Sequence, residues 1–85
     1  TLPKGAVDMY PNPHDDQLTL EFDLQSTQDV NLQISDVMGR TVQTHQLENV
    51  VNQKWNTDFS TVQAGTYFLR VIAEDGERTI KFIKQ

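Results

Sequence analysis

Two histidines, His14 and His45, are the only imidazoles in the chain, and cysteine is absent. Nucleophilic catalysis needs a hydroxyl or thiol beside a base that a third group orients. Neither histidine stands in a recognisable signature of that kind. The run His14-Asp15-Asp16 carries metal-ligand residue types, but neighbours in an extended chain point to opposite faces, so these three converge only on a turn. They read as a solvated loop after Pro13. Asp75-Gly76 reads as a turn, because the alternating acids of a calcium loop are missing around it. No P-loop, dinucleotide or zinc pattern occurs. The sequence therefore predicts no catalytic residue, no cofactor and no metal.

Two binding readings remain. Trp55 has the chemistry of a sugar-stacking platform, although its alignment with Val51 and Phe59 favours a tryptophan between two sheets. Phe68, Ile72 and Ile83 fall on the opposite parity to the inward residues of their runs, which makes a small contact patch or a face covered by loops.

What must position these groups is a set of short strands. Leu18, Leu20 and Phe22 alternate with polar residues, as do Val30, Leu32 and Ile34. Tyr67, Leu69, Val71 and Ala73 form a third alternation, and Ile80 with Phe82 a fourth. Weaker runs lie at 6–10, 41–47 and 50–58. Alternation is the mark of a half-buried strand, and no window carries the apolar stripe of a long helix. Gly39 stands where a hairpin needs positive φ, and Asp75-Gly76 is a strong hairpin signal. Ser26–Asp29 and Thr61–Gly65 read as polar links.

About seven short strands in 85 residues predict an all-β fold, an Ig-like antiparallel sandwich forming a single domain over 1–85. The expected core is Met9, Leu18, Leu20, Phe22, Val30, Leu32, Ile34, Val42, Trp55, Tyr67, Leu69, Val71, Ile80 and Phe82. A net charge of −5 argues against nucleic acid or an anionic membrane as the main partner. No transmembrane run occurs, and the residues from Thr1 onward are not expected to act as a signal peptide. An exported chain would then carry its N-terminal address on a longer parent.

The motifs follow a recognisable order. Y-P-N-P at Tyr10, Pro11, Asn12 and Pro13 precedes L-T-L-E-F at Leu18–Phe22. L-Q-I-S-D-V-M-G-R follows at Leu32–Arg40, with the hairpin glycine Gly39, then A-G-T-Y-F-L-R-V at Ala64–Val71, with Gly65 and Tyr67. The chain closes on Lys81, Phe82, Ile83, Lys84 and Gln85. In this order and spacing the chain resembles the C-terminal sorting domain of cargo exported by the type IX secretion system of Bacteroidota, over residues 8–85. Ser60-Thr61-Val62-Gln63 and Thr66 depart from the usual residues of that family's turn, which touches only the local loop.

The resemblance implies an address that ends a periplasmic cargo protein. Its partners would be outer-membrane translocon components, a sortase-like signal peptidase and the parent cargo domain. The domain would be a substrate of the peptidase, and the cargo would end at the cell surface or outside the cell. Y-P-N-P is expected to close the first strand, with Tyr10 packed at the end of the sandwich. The last strand, if it lies at a sheet edge, offers unpaired backbone to a partner, with Lys81 and Lys84 as guards. The alternatives are an accessory Ig- or fibronectin-like module binding carbohydrate or protein, carried by Trp55, and a spacer that dimerises weakly through Phe68, Ile72 and Ile83.

Overall fold

A computed structural model describes residues 6–12 and 17–84. Its strands are β1 (Val7–Asn12), β2 (Gln17–Asp36), β3 (Thr41–Asp58), β4 (Gly65–Ala73) and β5 (Gly76–Lys84). All pairings are antiparallel, and among the described residues there is no helix. β3 runs along one flank of β2, while β1 and then β4 occupy the other, and β5 follows β4.

The expected strand count of about seven becomes five because two pairs of runs are continuous. Leu18–Phe22 and Val30–Ile34 belong to one 20-residue strand, and 41–47 joins 50–58 in an 18-residue one. The polar link at Ser26–Asp29 is thus strand, not loop. Register shifts between Asp23 and Val30 bend β2 there, and β-bulges are the ordinary means of such bending. Asn49, with φ 56°, marks the matching irregularity on β3.

The bend folds one sheet into two facing arms. Arg78 of β5 donates across the gap to the Val7 carbonyl of β1 at 2.8 Å. On the opposite side the His45 and Trp55 rings, from the two halves of β3, meet edge-on with centroids 4.7 Å apart. Between the arms lie Leu18, Leu20, Phe22, Leu24, Val30, Leu32 and Ile34 of β2, with Val7, Val50, Phe59, Tyr67, Leu69, Val71 and Phe82. Each such side chain contributes roughly 1.5–3 kcal/mol by leaving water. Met9, Trp55 and Ile80 are partly buried and pack against this core.

One expected core position is corrected. Val42 is 38% exposed. Ile34 pairs with Gln43 and Ser35 with Thr41, so Val42 is the unpaired residue of a bulge and is turned outward. Val50, not Val51, enters the core, because the irregularity at Asn49 turns Val50 inward locally, although Leu47 and Trp55 on either side keep the odd parity.

Gly39 does what its place in the hairpin requires. Its φ is 84°, and its amide donates to the Asp36 carbonyl at 3.0 Å. A Cβ there would meet nothing within 4 Å, so any cost of a side chain is backbone alone. Gly39→Ala is therefore expected to cost about 1–2 kcal/mol, a fall of roughly 4–8 °C per kcal/mol in a domain of this size. A thermal melt by circular dichroism checks it; an unchanged midpoint contradicts the assignment.

Candidate functional site

The motifs singled out in the sequence gather at one end of the sandwich. Asn12 pairs with Gln17, and Gln17 with Asp58, which puts the Y-P-N-P strand end beside the start of the 59–63 turn. Asp36 pairs with Tyr67, and Tyr67 with Phe82, which brings the hairpin at 37–39 and the end of β5 alongside. β3 is folded in half, so both its ends belong here, joined by Gln43 Nε2 donating to the Asp58 carbonyl at 3.3 Å. A shallow cleft runs between Arg40 and Val42 on one side and Thr61 and Gln63 on the other.

Lys84 holds this end together. Its ammonium donates to the carbonyls of Phe59 (2.8 Å), Ser60 (3.3 Å) and Val62, and it lies 5.8 Å from the centre of the Phe59 ring. The Tyr67 hydroxyl donates to the Gln63 carbonyl, completing the turn. Beneath them Phe59 meets Tyr67 and Phe82 with centroids 5.2 and 5.5 Å apart. Lys84 is thus engaged within the fold, whereas Lys81 is exposed. Asp58 accepts the Ser60 amide at 2.9 Å. Hydrogen bonds from Ser60 hold its carboxyl below the usual value, burial pushes the other way, and the Lys84 charge adds to the lowering.

The hairpin tip is as firmly tied. Asp36 Oδ1 accepts the amides of Met38 (2.9 Å) and Arg40 (3.0 Å), and Oδ2 accepts Arg40 Nε at 2.9 Å. Burial raises the Asp36 pKa, but the Arg40 and Met38 hydrogen bonds outweigh it and leave the carboxyl below its usual value.

Among the described residues β3 leaves its flank away from β2 unpaired, and β1 and β5 are the edges on the other side, where they are finished differently. The Asp23 amide donates to the Ala6 carbonyl, which makes Ala6/Asp23 a hydrogen-bonded pair. By alternation Val7, Met9 and Pro11 then direct their backbone groups away from β2. Pro11 lacks its donor where no ladder bond is lost, so proline blunts this edge. On the other side Ala73 and Gly76 flank a two-residue turn and must exchange both bonds. Glu77, Thr79, Lys81 and Ile83 therefore point their backbone groups to open solvent, with no proline among them. Their side chains are exposed, Ile83 at 60%, and Phe68 and Ile72 share that outer face partly buried.

Tyr10 is not packed at the sandwich end as expected. It is 51% exposed, because β1 turns Val7 and Met9 inward and Asp8 and Tyr10 out. Asp8 and then Glu21 raise its pKa by their negative charge. Pro13, His14-Asp15-Asp16 and Gln85 lie outside the described residues. Gly65 opens β4 opposite Lys84. Trp55 is half-buried against the core and His45. Among the described residues no three acids or histidines converge as metal ligands. Sequence reasoning missed the carbonyl clamp of Lys84 and the Asp36–Arg40 pair; the D-x-x-G-R spacing was the available signal for the second.

Residues 8–85 match the model of a protein family described as Secretion system C-terminal sorting domain. No curated protein matches the chain.

Lys84→Ala leaves three carbonyls without their ammonium donor and is expected to cost about 1–3 kcal/mol. Hydrogen exchange should show faster exchange of the Val62 amide, which donates to Phe59. Asp36 and Asp58 have lowered folded-state pKa values, so the stability they supply is present above the unfolded value and lost as pH falls through the folded one. The melting midpoint should drop as pH falls below about 4, and less steeply in Asp36→Asn/Asp58→Asn. Parallel pH profiles of the two proteins would show an acid loss unrelated to these groups.

Proposed function

The chain belongs to the type IX secretion C-terminal sorting domain family, and on that premise we propose that residues 1–85 are a single excised address domain of a larger secreted protein. The match over 8–85 carries this reading, since it takes in almost every strand of the sandwich. The sorting domain engages the type IX machinery in general, and the protein that bears it is secreted. Beyond that, the cargo crosses the periplasm first, and outer-membrane translocon components then read the folded domain as a surface. A sortase-like peptidase removes the domain afterwards, leaving the cargo at the cell surface or outside the cell. In that step the domain is substrate.

The physical requirement for such a signal is rigidity at an exposed surface, because a partner gains little from groups it must first order. The open edge of β5 meets it. Four residues direct unpaired backbone groups outward along one straight strand, a template for one added strand from a partner. Lys81 on that edge discourages unselective pairing.

The chain fused behind a periplasmic reporter should carry it out of a type IX-competent cell, whereas the reporter alone stays inside. Deleting Lys81–Gln85 should abolish export, but it also removes Phe82 and Lys84 from the fold. Lys81→Pro separates the two effects, since it removes an edge donor that β4 does not use. A folded Lys81→Pro protein, checked by circular dichroism, that is no longer exported supports strand addition. Export of both variants at the wild-type level would show that the edge is not read.

A further inference from the structure

Val37 and Met38 form the tip of the β2–β3 hairpin and are 65% and 77% exposed. Val42 adds a third apolar side chain at the base of the same hairpin. The turn does not need any of them. Its geometry is met by Asp36, which accepts two amides, and by Gly39, which supplies the positive φ. Polar residues are the usual choice at such positions. Two large apolar side chains there gain nothing from the fold, and exposed apolar groups held on a rigid turn are the form that a docking anchor takes.

Charge narrows the partner. The chain is acidic overall, yet at this tip the exposed group is the Arg40 side chain, while its counter-ion Asp36 is tucked inward, at 78% and 16% exposure. Only Arg40 Nε is committed to Asp36. The outer nitrogens of the guanidinium stay available for a second carboxylate. The cleft beside Arg40 and Val42 leads from the tip to the 61–63 turn that Lys84 secures.

We propose that Val37 and Met38 are the anchor by which this sorting domain docks onto the secretion machinery, entering an apolar pocket with an acidic rim that receives Arg40. This rests on the sorting function and names the surface that performs it. It is independent of the β5 edge, which offers backbone and not side chains.

The test uses the full chain fused to the periplasmic reporter in a type IX-competent cell, with four variants. Val37→Ser/Met38→Ser should lower export about tenfold or more, with a melting midpoint close to that of the parent. Arg40→Glu should lower export similarly and be partly rescued by Arg40→Lys. Gln46→Ser, on the exposed side of β3, should export normally. Normal export of the Val37→Ser/Met38→Ser protein overturns the anchor while leaving the sorting role intact. Failure of the unmodified fusion to leave the cell removes the sorting role, and the anchor with it. Sedimentation is the remaining arm: a wild-type dimer that Val37→Ser/Met38→Ser converts to monomer assigns the tip to a second copy of this chain and overturns the proposal.

Discussion

The structure depends on one strand keeping the same face inward around a bend. Leu18, Leu20, Phe22 and Leu24 precede the bend in β2, and Gln28, Val30, Leu32 and Ile34 follow it with unchanged parity. A slip of one residue would turn either half inside out. The bend therefore takes an even step along β2, from Leu24 to Gln28, with Ser26 exposed in the middle. β3 cannot follow at the same spacing. Between the pairs Asp23/Asn52 and Gln28/Val50, β2 advances five residues and β3 two. The left-handed Asn49 lets Val50 alone turn inward at the bend, while odd-numbered residues such as Leu47 and Trp55 pack on the core to either side. Asparagine is among the few residues that take that conformation readily.

The same bend explains the one buried polar side chain among the described residues, Gln28, which is 3% exposed. An amide in an apolar corner is costly unless its groups are paired. Gln28 Nε2 donates to the Asp75 carboxylate at 2.8 Å, and its carbonyl accepts the Asp75 amide at 3.1 Å. Asp75 is therefore more than a turn former: it fastens the β4–β5 hairpin to the bend. The far end of the sandwich is closed by this pair, and the near end by Lys84 and Asp58.

Alternation made the strands legible, because the inward residues of β2, β4 and β5 sit at a period of two, with polar neighbours along β2 and with Phe68, Ile72 and Ile83 as the apolar exceptions on the outer face of β4 and β5. Alternation says nothing about where a strand bends without ending. Ser26–Asp29 has the composition of a loop, and only pairing with β3 on both sides of it makes it strand. Val42 failed for a related reason, since its place in the run was right but a bulge took it out of register. The hairpin at Gly39 was readable from local chemistry, and its Asp36–Arg40 pair was written in the spacing. The clamp of Lys84 was not, because its three acceptors are backbone carbonyls more than twenty residues away. Backbone acceptors carry no residue type, so no pattern of side chains announces them.

Convergence of the motifs at one end follows from the folding of β3 on itself. A strand bent in half returns its two ends to the same place, Thr41 beside the hairpin and Asp58 beside the turn. β2, paired with it throughout, must do the same with Gln17 and Asp36. The residues that follow Asp36, Asp58 and Phe82 are then neighbours in space, although more than twenty positions separate each from the next. Rigid exposed features cost little to hold where two layers already meet and each turn is tied by a charge: Asp36 to Arg40, and Lys84 to the carbonyls of 59–62. The other end, occupied by the bend and its Gln28–Asp75 pair, has spent its polar groups on closure. One end of this acidic chain thus presents what its fold does not consume: an apolar tip, an outward guanidinium and the end of a strand with one unpaired edge.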